Sequence, residues 1–201
     1  MSGRLLLVRH GEIDANLAQR WHGSTDSRMT ARGHEQVRLL ADHLARAHPG
    51  AVAVHTSPLE RAQETARPIA AALDVPLSIW PALAEFGIGI LENELYADLA
   101  GHLGFFAQIT ADLDWAPSGG ESLGAVAARI VTAWRDIGAA HPAGEVVVVS
   151  HGAATAAGLA MLLDGDPRAW TRYHQHNTGL SELELEPQPR LLSFDRVDHL
   201  G

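Results

Sequence analysis

The sequence contains no cysteine and no lysine, so all 15 of its cationic residues are arginine. Without cysteine the chain can form no disulfide, no thiolate metal site and no cysteine nucleophile. Without lysine, a site for an anion must be built from arginine, histidine or backbone N–H groups. Chemistry therefore has to come from the arginines, the carboxylates and the 12 histidines.

Long apolar runs and an excess of positive charge are also missing. The first apolar run, Leu5 to Val8, is too short for a signal-peptide core or a membrane span. The longest apolar tract, Ala153 to Leu163, is interrupted by Thr155 and Gly158 and predicts a buried helix. A net charge of -9 disfavours a nucleic-acid partner. We therefore expect a cytoplasmic protein that binds neither a membrane nor a nucleic acid.

The apolar pattern alternates between strand-length runs and helical periodicity. The predicted strands are Leu5–Val8, Ala51–Val54, Val75–Trp80 and Glu145–Val149. The predicted helices run from a Thr30 cap to about Ala47, from Ser57 and Pro58 to about Leu73, from about Ser122 to Ala140, and from Gly152 to about Leu163. This alternation is typical of an α/β fold with a mainly parallel sheet.

The remaining segments predict a different edge and a cap. Leu183 and Leu185 alternate with glutamates, and a proline-rich turn leads to a last strand at Leu191–Phe194. We therefore predict a three-layer αβα sandwich whose parallel sheet has an antiparallel edge. Residues 86–118, after the third strand, predict a small inserted cap. The length of 201 residues fits one domain, 1–201, better than two.

Chemically useful residues follow the predicted strands. The first strand ends in Arg9-His10-Gly11 and the fourth in Ser150-His151-Gly152. Arg61 lies in the first turn of the helix after the second strand, and Glu85 follows the third strand. Because ligands bind outside the carboxyl ends of parallel strands, two histidines, two arginines and one glutamate should meet at one edge of the sheet.

This set of side chains suits phosphoryl transfer. Two guanidinium groups can grip a phosphoryl group through paired hydrogen bonds. A neutral imidazole is a competent nucleophile, and flanking arginine charges should lower the pKa of His10 and keep it neutral. A protonated His151 would stabilise developing negative charge, and Glu85 could protonate the leaving oxygen. The helix that begins after His151 offers N–H groups to an anion.

Five sequence blocks together resemble the histidine phosphatase superfamily, in its phosphoglycerate mutase-like branch. The resemblance runs from Leu5 to about Asn177. The blocks are Leu-Val-Arg-His-Gly-Glu at 7–12 with Asn16, Gly23, Asp26, Thr30, Gly33 and Gln36 after it, Ser-Pro-Leu-x-Arg-Ala-x-x-Thr-Ala at 57–66, Glu85-x-x-x-Gly89-x-x-Glu92, Gly-Gly-Glu-Ser at 119–122, and Val-Ser-His-Gly at 149–152.

The resemblance implies a role for each matching residue. His10 would be phosphorylated, Glu85 would be the proton donor, and Arg9, Arg61 and His151 would bind the phosphoryl group. It also implies the remaining phosphate contacts, which are Asn16, His22, Gly23 and Gly152. Members of the family need no metal, and they are often dimers, so we expect no cofactor and allow for a homodimer.

The family contains both phosphatases and mutases, and the cap favours a phosphatase. A phosphoglycerate mutase must hold a substrate carboxylate beside the phosphate, but residues 86–118 contain no arginine or lysine. They contain five acidic and five aromatic residues, which suit an uncharged or apolar leaving group. A cation could still come from Arg20, Arg28 or Arg172. We therefore predict a phosphomonoesterase acting on a small-molecule phosphate ester, with a mutase as the alternative.

Two other classes of function stay open at this point, and a third is disfavoured. A metal-dependent hydrolase would need a ligand motif, and His174-Gln175-His176 is the nearest candidate, which we interpret as a loop before Asn177. A non-catalytic sensor of phosphorylated ligands could use the same fold. A dinucleotide enzyme is disfavoured because the first strand is followed by Arg-His-Gly instead of a glycine-rich phosphate loop.

Overall fold

A six-stranded sheet forms the middle layer of the computed structural model, which describes residues 3–201. The strands are β1 (Arg4–Arg9), β2 (Ala51–Thr56), β3 (Leu77–Ile79), β4 (Glu145–Ser150), β5 (Leu180–Glu184) and β6 (Arg190–Arg196). Their order across the sheet is β3-β2-β4-β1-β5-β6. The first four are parallel, whereas β5 and β6 pair antiparallel. The predicted parallel sheet with an antiparallel edge is confirmed.

Seven α-helices complete the described part of the chain, residues 3–201. They are α1 (Asp14–Leu17), α2 (Ala31–Ala47), α3 (Glu60–Leu73), α4 (Tyr96–Ala100), α5 (Phe105–Ala111), α6 (Leu123–Ala140) and α7 (Gly152–Asp164). Short 3₁₀ helices lie at Pro81–Leu83, Gly89–Leu91, Pro167–Tyr173 and Asp198–Leu200. None of these helices is long and apolar enough to cross a membrane. Met1 and Ser2, where the predicted domain begins, lie outside the described residues.

Alternating side chains of β1 divide the core into two layers. Leu6 and Val8 pack with apolar residues of α2 and α3 on one face of the sheet. Leu5 and Leu7 pack with α6 and α7 on the other face. The sheet therefore lies between two helical layers, as the apolar periodicity of the sequence predicts.

The start of α3 differs from the prediction. Thr30 and Ser122 do cap α2 and α6, each accepting a backbone N–H three residues later. Ser57, in contrast, continues β2, because its N–H donates to the Val149 carbonyl. The helix begins at Glu60, and the carboxylate of Asp26 accepts its N–H at 3.0 Å. A distant aspartate therefore caps α3, and the predicted Ser57 cap is wrong.

The third strand is shorter than predicted. It spans Leu77–Ile79 instead of Val75–Trp80 and pairs only with β2, at one edge of the sheet. The reason lies at the end of α3, where Asp74 adopts a left-handed conformation. The N–H of Val75 then donates to the Ala70 carbonyl at the end of this helix, so it does not pair with β2.

The predicted cap, residues 86–118, packs around Trp21 from the segment after α1. The Trp21 ring contacts five other aromatic rings, which are Phe86, Tyr96, Phe105, Phe106 and Trp170. Phe86 and Phe105 are fully buried. The cap is thus held above the carboxyl ends of the strands by an aromatic cluster.

Candidate active site

The two predicted histidines meet because β1 and β4 are neighbouring parallel strands in register. Arg9 is paired with Ser150, which places His10 beside His151 at the carboxyl edge of the sheet. Their ring centroids lie 5.2 Å apart, and both side chains are buried. The structure therefore brings together two residues that are 141 positions apart in the sequence.

The hydrogen bond of His10 leaves one ring nitrogen free for chemistry. Its Nδ1 lies 2.8 Å from the Gly11 carbonyl oxygen. Since a carbonyl can only accept, Nδ1 carries the hydrogen and Nε2 keeps its lone pair. Burial, followed by the charges of Arg61 and Arg9, holds the pKa of His10 well below its usual value. His10 is therefore a neutral imidazole with a nucleophilic Nε2.

The loop after β1 is held by residues from two other helices. Thr65 accepts the N–H of Gly11 at 3.0 Å, and Gln36 accepts the N–H of Glu12 at 3.0 Å. A Cβ atom on Gly33 would lie only 2.1 Å from the Glu12 carbonyl oxygen. Glycine is therefore required where α2 approaches this loop. These contacts explain three residues of the sequence blocks that have no direct chemical role.

Arg9 reaches the same place from the end of β1. Its terminal nitrogen donates to the Gln175 carbonyl oxygen at 2.6 Å and lies 3.4 Å from His174 Nε2. Its Nε is buried and has no hydrogen-bond partner among residues 3–201. A Cβ atom on Gly152 would lie 3.3 Å from this Nε, so glycine leaves space for the guanidinium. Arg9 therefore has a buried donor available to a ligand.

Arg61 is largely occupied by the protein itself. Its two terminal nitrogens donate to the Asp26 carboxylate at 2.8 Å and to the carbonyl oxygens of three loop residues, His22, Gly23 and Thr25. Only its Nε, which is buried, lacks a partner in the described part of the chain. Arg61 can thus offer a phosphoryl oxygen a single N–H. This differs from the paired grip that sequence reasoning predicts, because four acceptors come from a loop about 35 residues earlier.

Glu92 holds the same loop from the opposite side. Its carboxylate accepts the N–H groups of Gly23, Ser24, Thr25 and Ile88 at 2.9 to 3.2 Å. A Cβ atom on Gly23 would lie 2.3 Å from the Phe86 carbonyl oxygen, so this loop needs a glycine. Glu92 is thus committed to backbone amides, and it does not add free negative charge to the cap.

Glu85 sits at the start of α7. Its Oε1 accepts from the N–H groups of Phe86 and Ala154 at 2.8 and 2.7 Å, and Oε2 accepts from Ala153 at 3.2 Å. These bonds satisfy two of the free amides in the first turn of the helix. The expectation that the helix start offers its amides to an anion is therefore wrong for Ala153 and Ala154, since Glu85 already occupies them.

Arg129 is a functional candidate that sequence reasoning missed. Its guanidinium donates to both carboxylate oxygens of Glu121 and to the carbonyl oxygens of Ala82, Ala84 and Glu85. These five bonds hold the segment that carries Glu85. The Gly-Gly-Glu-Ser block was the available signal, because Glu121 belongs to it, but its partner lies eight residues later in α6.

We expect Arg129→Lys to impair the acid step more than phosphate binding. Lysine has one charged nitrogen and cannot hold three carbonyls and a carboxylate in one plane, so Glu85 would lose its fixed position. The kcat for substrates with poor leaving groups should fall by about tenfold or more, with KM changed by less than about threefold. Arg38→Lys, on an exposed ion pair, is the control. Equal rates in both variants would contradict this role.

Asn16 and His22 approach the site from different directions. The Asn16 Oδ1 accepts from Ile13 N–H and from Asn177, whose side chain also donates to the His10 carbonyl. These bonds leave the Asn16 amide N–H groups for a ligand. The Nε2 of His22 lies 3.0 Å from an Asn93 oxygen, and its buried Nδ1 has no partner within residues 3–201.

Two cavities open beside this cluster. One, of about 300 Å³, is lined by Trp21, His22, Glu85, Tyr96, Phe106, Trp170 and His174 together with Arg9. The other, of about 530 Å³, has Glu12, Asn16, Gln19 and Asn177 in its lining. Arg9, Tyr96 and His174 line both, so the cavities adjoin.

Arg9 is the one arginine that lines either cavity in the described part of the chain. Arg20 donates to the Asn93 carbonyl, and Arg172 pairs with Asp164. Neither they nor Arg28 line either cavity. Across residues 3–201 there is also no group of three or more histidine, aspartate or glutamate side chains arranged to hold a metal ion.

Comparisons with known proteins show which proteins this chain resembles. The histidine phosphatase superfamily (branch 1) matches residues 5–194. The chain is 31% identical over 200 residues to the probable phosphoglycerate mutase GpmB of Serratia proteamaculans (strain 568), covering 98% of this chain and 92% of that protein. It is 34% identical over 168 residues to the glucosyl-3-phosphoglycerate phosphatase of Mycolicibacterium vanbaalenii, covering 80% of this chain and 74% of that protein.

Solved structures give the same result. The phosphoserine phosphatase of Entamoeba histolytica, in complex with 3-phosphoglyceric acid, matches with a TM-score of 0.88 and 26% sequence identity. The match covers 99% of this chain and all of that chain.

Proposed function

This chain belongs to the histidine phosphatase superfamily, and we propose that it hydrolyses small-molecule phosphate monoesters through a phosphohistidine formed on His10. The observation that carries this proposal is a set of buried donors beside a neutral His10. The Nε atoms of Arg9 and Arg61 and the Nδ1 of His151 are buried and have no partner among the described residues. Buried polar groups without partners are rare, and a bound phosphoryl group would satisfy all three.

The reaction follows from the roles of these groups. The His10 Nε2 attacks phosphorus, and the bond from phosphorus to the leaving oxygen breaks. That oxygen takes a proton from Glu85, which lines the cavity where the leaving group would lie. Water then attacks the phosphohistidine, gives its proton to Glu85 and releases phosphate, which regenerates His10. Arg9, Arg61 and His151 stabilise the negative charge on the phosphoryl oxygens in both steps. Asn16, His22 and Gly23 would border the same oxygens.

The aromatic cavity favours a neutral leaving group. Tyr96, Phe106 and Trp170 offer ring surfaces, whereas Arg9 is the one arginine in the lining and is already needed for phosphate. The three relatives above are named for phosphoesters that also carry a carboxylate. A carboxylate here would enter the cavity without a second cation, and an unpaired buried charge costs several kcal/mol. This argument supports hydrolysis over the alternative, a mutase.

A phosphate-release screen run in chelator tests the proposal. We expect kcat/KM for an aryl phosphate with an uncharged aryl group to exceed that for 3-phosphoglycerate by about tenfold or more. A parallel assay should find little phosphoglycerate mutase turnover. Mutase turnover faster than hydrolysis would favour the alternative, and loss of activity in chelator would favour a metal-dependent hydrolase. Phosphate binding with no turnover on any substrate would favour a sensor.

Four further expectations belong to the same proposal. We propose that residues 1–201 act as one catalytic domain with residues 86–118 as its cap, and that the enzyme needs no cofactor. We also predict a cytoplasmic location, which cell fractionation tests.

For a homodimer, β3 offers an edge strand on which Leu77 and Ile79 are exposed. Light scattering of Ile79→Lys, compared with Leu192→Lys on the opposite edge, measures whether that strand joins two copies.

A further inference from the structure

The imidazole of His151 is attached to the protein through Ser57. Its Nε2 lies 2.6 Å from the Ser57 hydroxyl oxygen, and both residues are completely buried. Ser57 stands at the end of β2 and His151 at the end of β4, which are neighbouring parallel strands. The contact therefore depends on strand pairing between residues 94 positions apart.

A second bond to Ser57 decides where the hydrogens lie. The Leu59 N–H donates to the Ser57 oxygen at 3.2 Å. If His151 also donated from Nε2, that oxygen would accept twice, and the hydroxyl hydrogen would have no acceptor identified among the described residues. That arrangement also leaves the Nδ1 lone pair of His151 without a partner. If the hydroxyl donates to Nε2 instead, the imidazole hydrogen on Nδ1 is the one group left unpaired among the described residues, so fewer buried groups lack a partner. The second arrangement puts the imidazole hydrogen on Nδ1.

The charge around His151 makes this placement important. Burial, followed by the charges of Arg61, His10, Arg129 and Arg9, holds the pKa of His151 well below its usual value. These effects favour the neutral imidazole over the protonated form. A neutral imidazole has only one N–H group, so only one of its two tautomers can donate from the buried Nδ1, which has no partner within residues 3–201.

We propose that Ser57 is a positioning residue that fixes His151 as the Nδ1–H tautomer, so that a neutral imidazole donates a hydrogen bond to the transferring phosphoryl group. In the other tautomer, a lone pair would face the phosphoryl oxygens and repel them. This inference rests on the proposed function, since it requires a phosphoryl group beside His10. Ser57 itself lines neither cavity, so it would act on the phosphoryl group only through His151.

Nitrogen-15 NMR of histidine-labelled protein measures the tautomer directly. At pH 7 we expect His151 to show a protonated Nδ1 and an unprotonated Nε2, both in the free protein and with inorganic phosphate. A His151→Gln variant assigns the signals. A hydrogen on Nε2, or a doubly protonated ring, would overturn the proposal. This readout needs no turnover, so it remains informative if the proposed phosphatase activity is absent.

Kinetics of Ser57→Ala and Ser57→Thr give the second test. Ser57→Ala should lower kcat by between about 10-fold and 10³-fold, the cost of one lost charge-stabilising donor, with KM changed by less than about threefold. Its His151 signals should show Nε2–H or a mixture of tautomers. Ser57→Thr keeps the hydroxyl and should restore the Nδ1–H tautomer and most of kcat.

Ser181→Ala is the matched control for loss of a buried hydroxyl. Ser181 is also fully buried but lies in a different strand, β5. Its oxygen accepts from the Gln175 side chain and from the Asp195 N–H. We expect this variant to lose stability without a change in the His151 tautomer. If Ser57→Ala behaves in the same way, folded and with kcat and tautomer unchanged, Ser57 only packs and the proposal fails.

Discussion

Replacing His10 with alanine is expected to abolish turnover and to remove the acid-labile phosphate that the wild-type enzyme acquires from substrate. His151, whose ring lies 5.2 Å from that of His10, cannot take over because its Nε2 is bonded to Ser57, and the chain has no cysteine. The loss in kcat should reach roughly 10⁴-fold or more, as for other enzymes that lose a nucleophile. The measurement is phosphate release together with quenched-flow trapping of labelled phosphohistidine.

The matched control for this variant is His102→Ala. His102 is exposed and pairs only weakly with Asp98, at 3.6 Å, outside both cavities. It should keep wild-type kcat and full labelling. If His10→Ala kept more than a small fraction of its turnover while remaining folded, water would have to attack the substrate directly, and the phosphohistidine mechanism would be ruled out.

Glu85→Gln should produce the second largest loss, and the loss should depend on the leaving group. Glutamine keeps the size of the side chain and one oxygen for the amides of Phe86 and Ala154, but it cannot transfer a proton. Alkyl phosphates need protonation of the leaving oxygen, so their kcat/KM should fall by roughly 10²–10⁴-fold. Aryl phosphates with acidic phenols leave without help and should lose far less.

Comparing the two substrate classes within one variant separates chemistry from folding. Misplacement of α7 would slow both classes alike, whereas loss of the proton donor slows only the alkyl phosphates. Glu121→Gln serves as a comparison, because it weakens the contacts of Arg129 without removing the proton donor. The Glu121 carboxylate binds Arg129 and lies outside both cavities. Equal losses for aryl and alkyl phosphates in Glu85→Gln would reject the acid role of Glu85.

Much of the fold could be predicted because the signals are local. Apolar runs such as Glu145–Val149 and the helical spacing from Ser122 to Ala140 report burial directly, and burial is what places these segments in the sheet or against it. The predicted helix start was wrong where a partner distant in the sequence overrides a local preference. Ser57-Pro58 has the local pattern of a helix start, but its backbone bonds to β4 keep it in the sheet, and Asp26 caps the helix instead.

The candidate site divides in the same way. His10, His151, Arg9 and Glu85 could be selected from the sequence, because each follows a recognisable strand and parallel strands share one carboxyl edge. Their hydrogen-bond partners could not be selected, since those partners lie far away along the chain. Arg129 gave no local signal for its bonds to the carbonyls before Glu85, which lie more than 40 residues earlier.

The sequence by itself therefore determined the sandwich, the family and the residues that gather at the edge of the sheet, because strand order and residue type are written in local patterns. Only the tertiary structure decided how many donors remain for a ligand. It showed that Arg61 has a single free N–H, that Glu85 occupies the start of α7, and that His151 is hydrogen-bonded to Ser57. The physical reason is that a hydrogen bond needs two groups, and the tertiary fold determines which group lies within reach of the first.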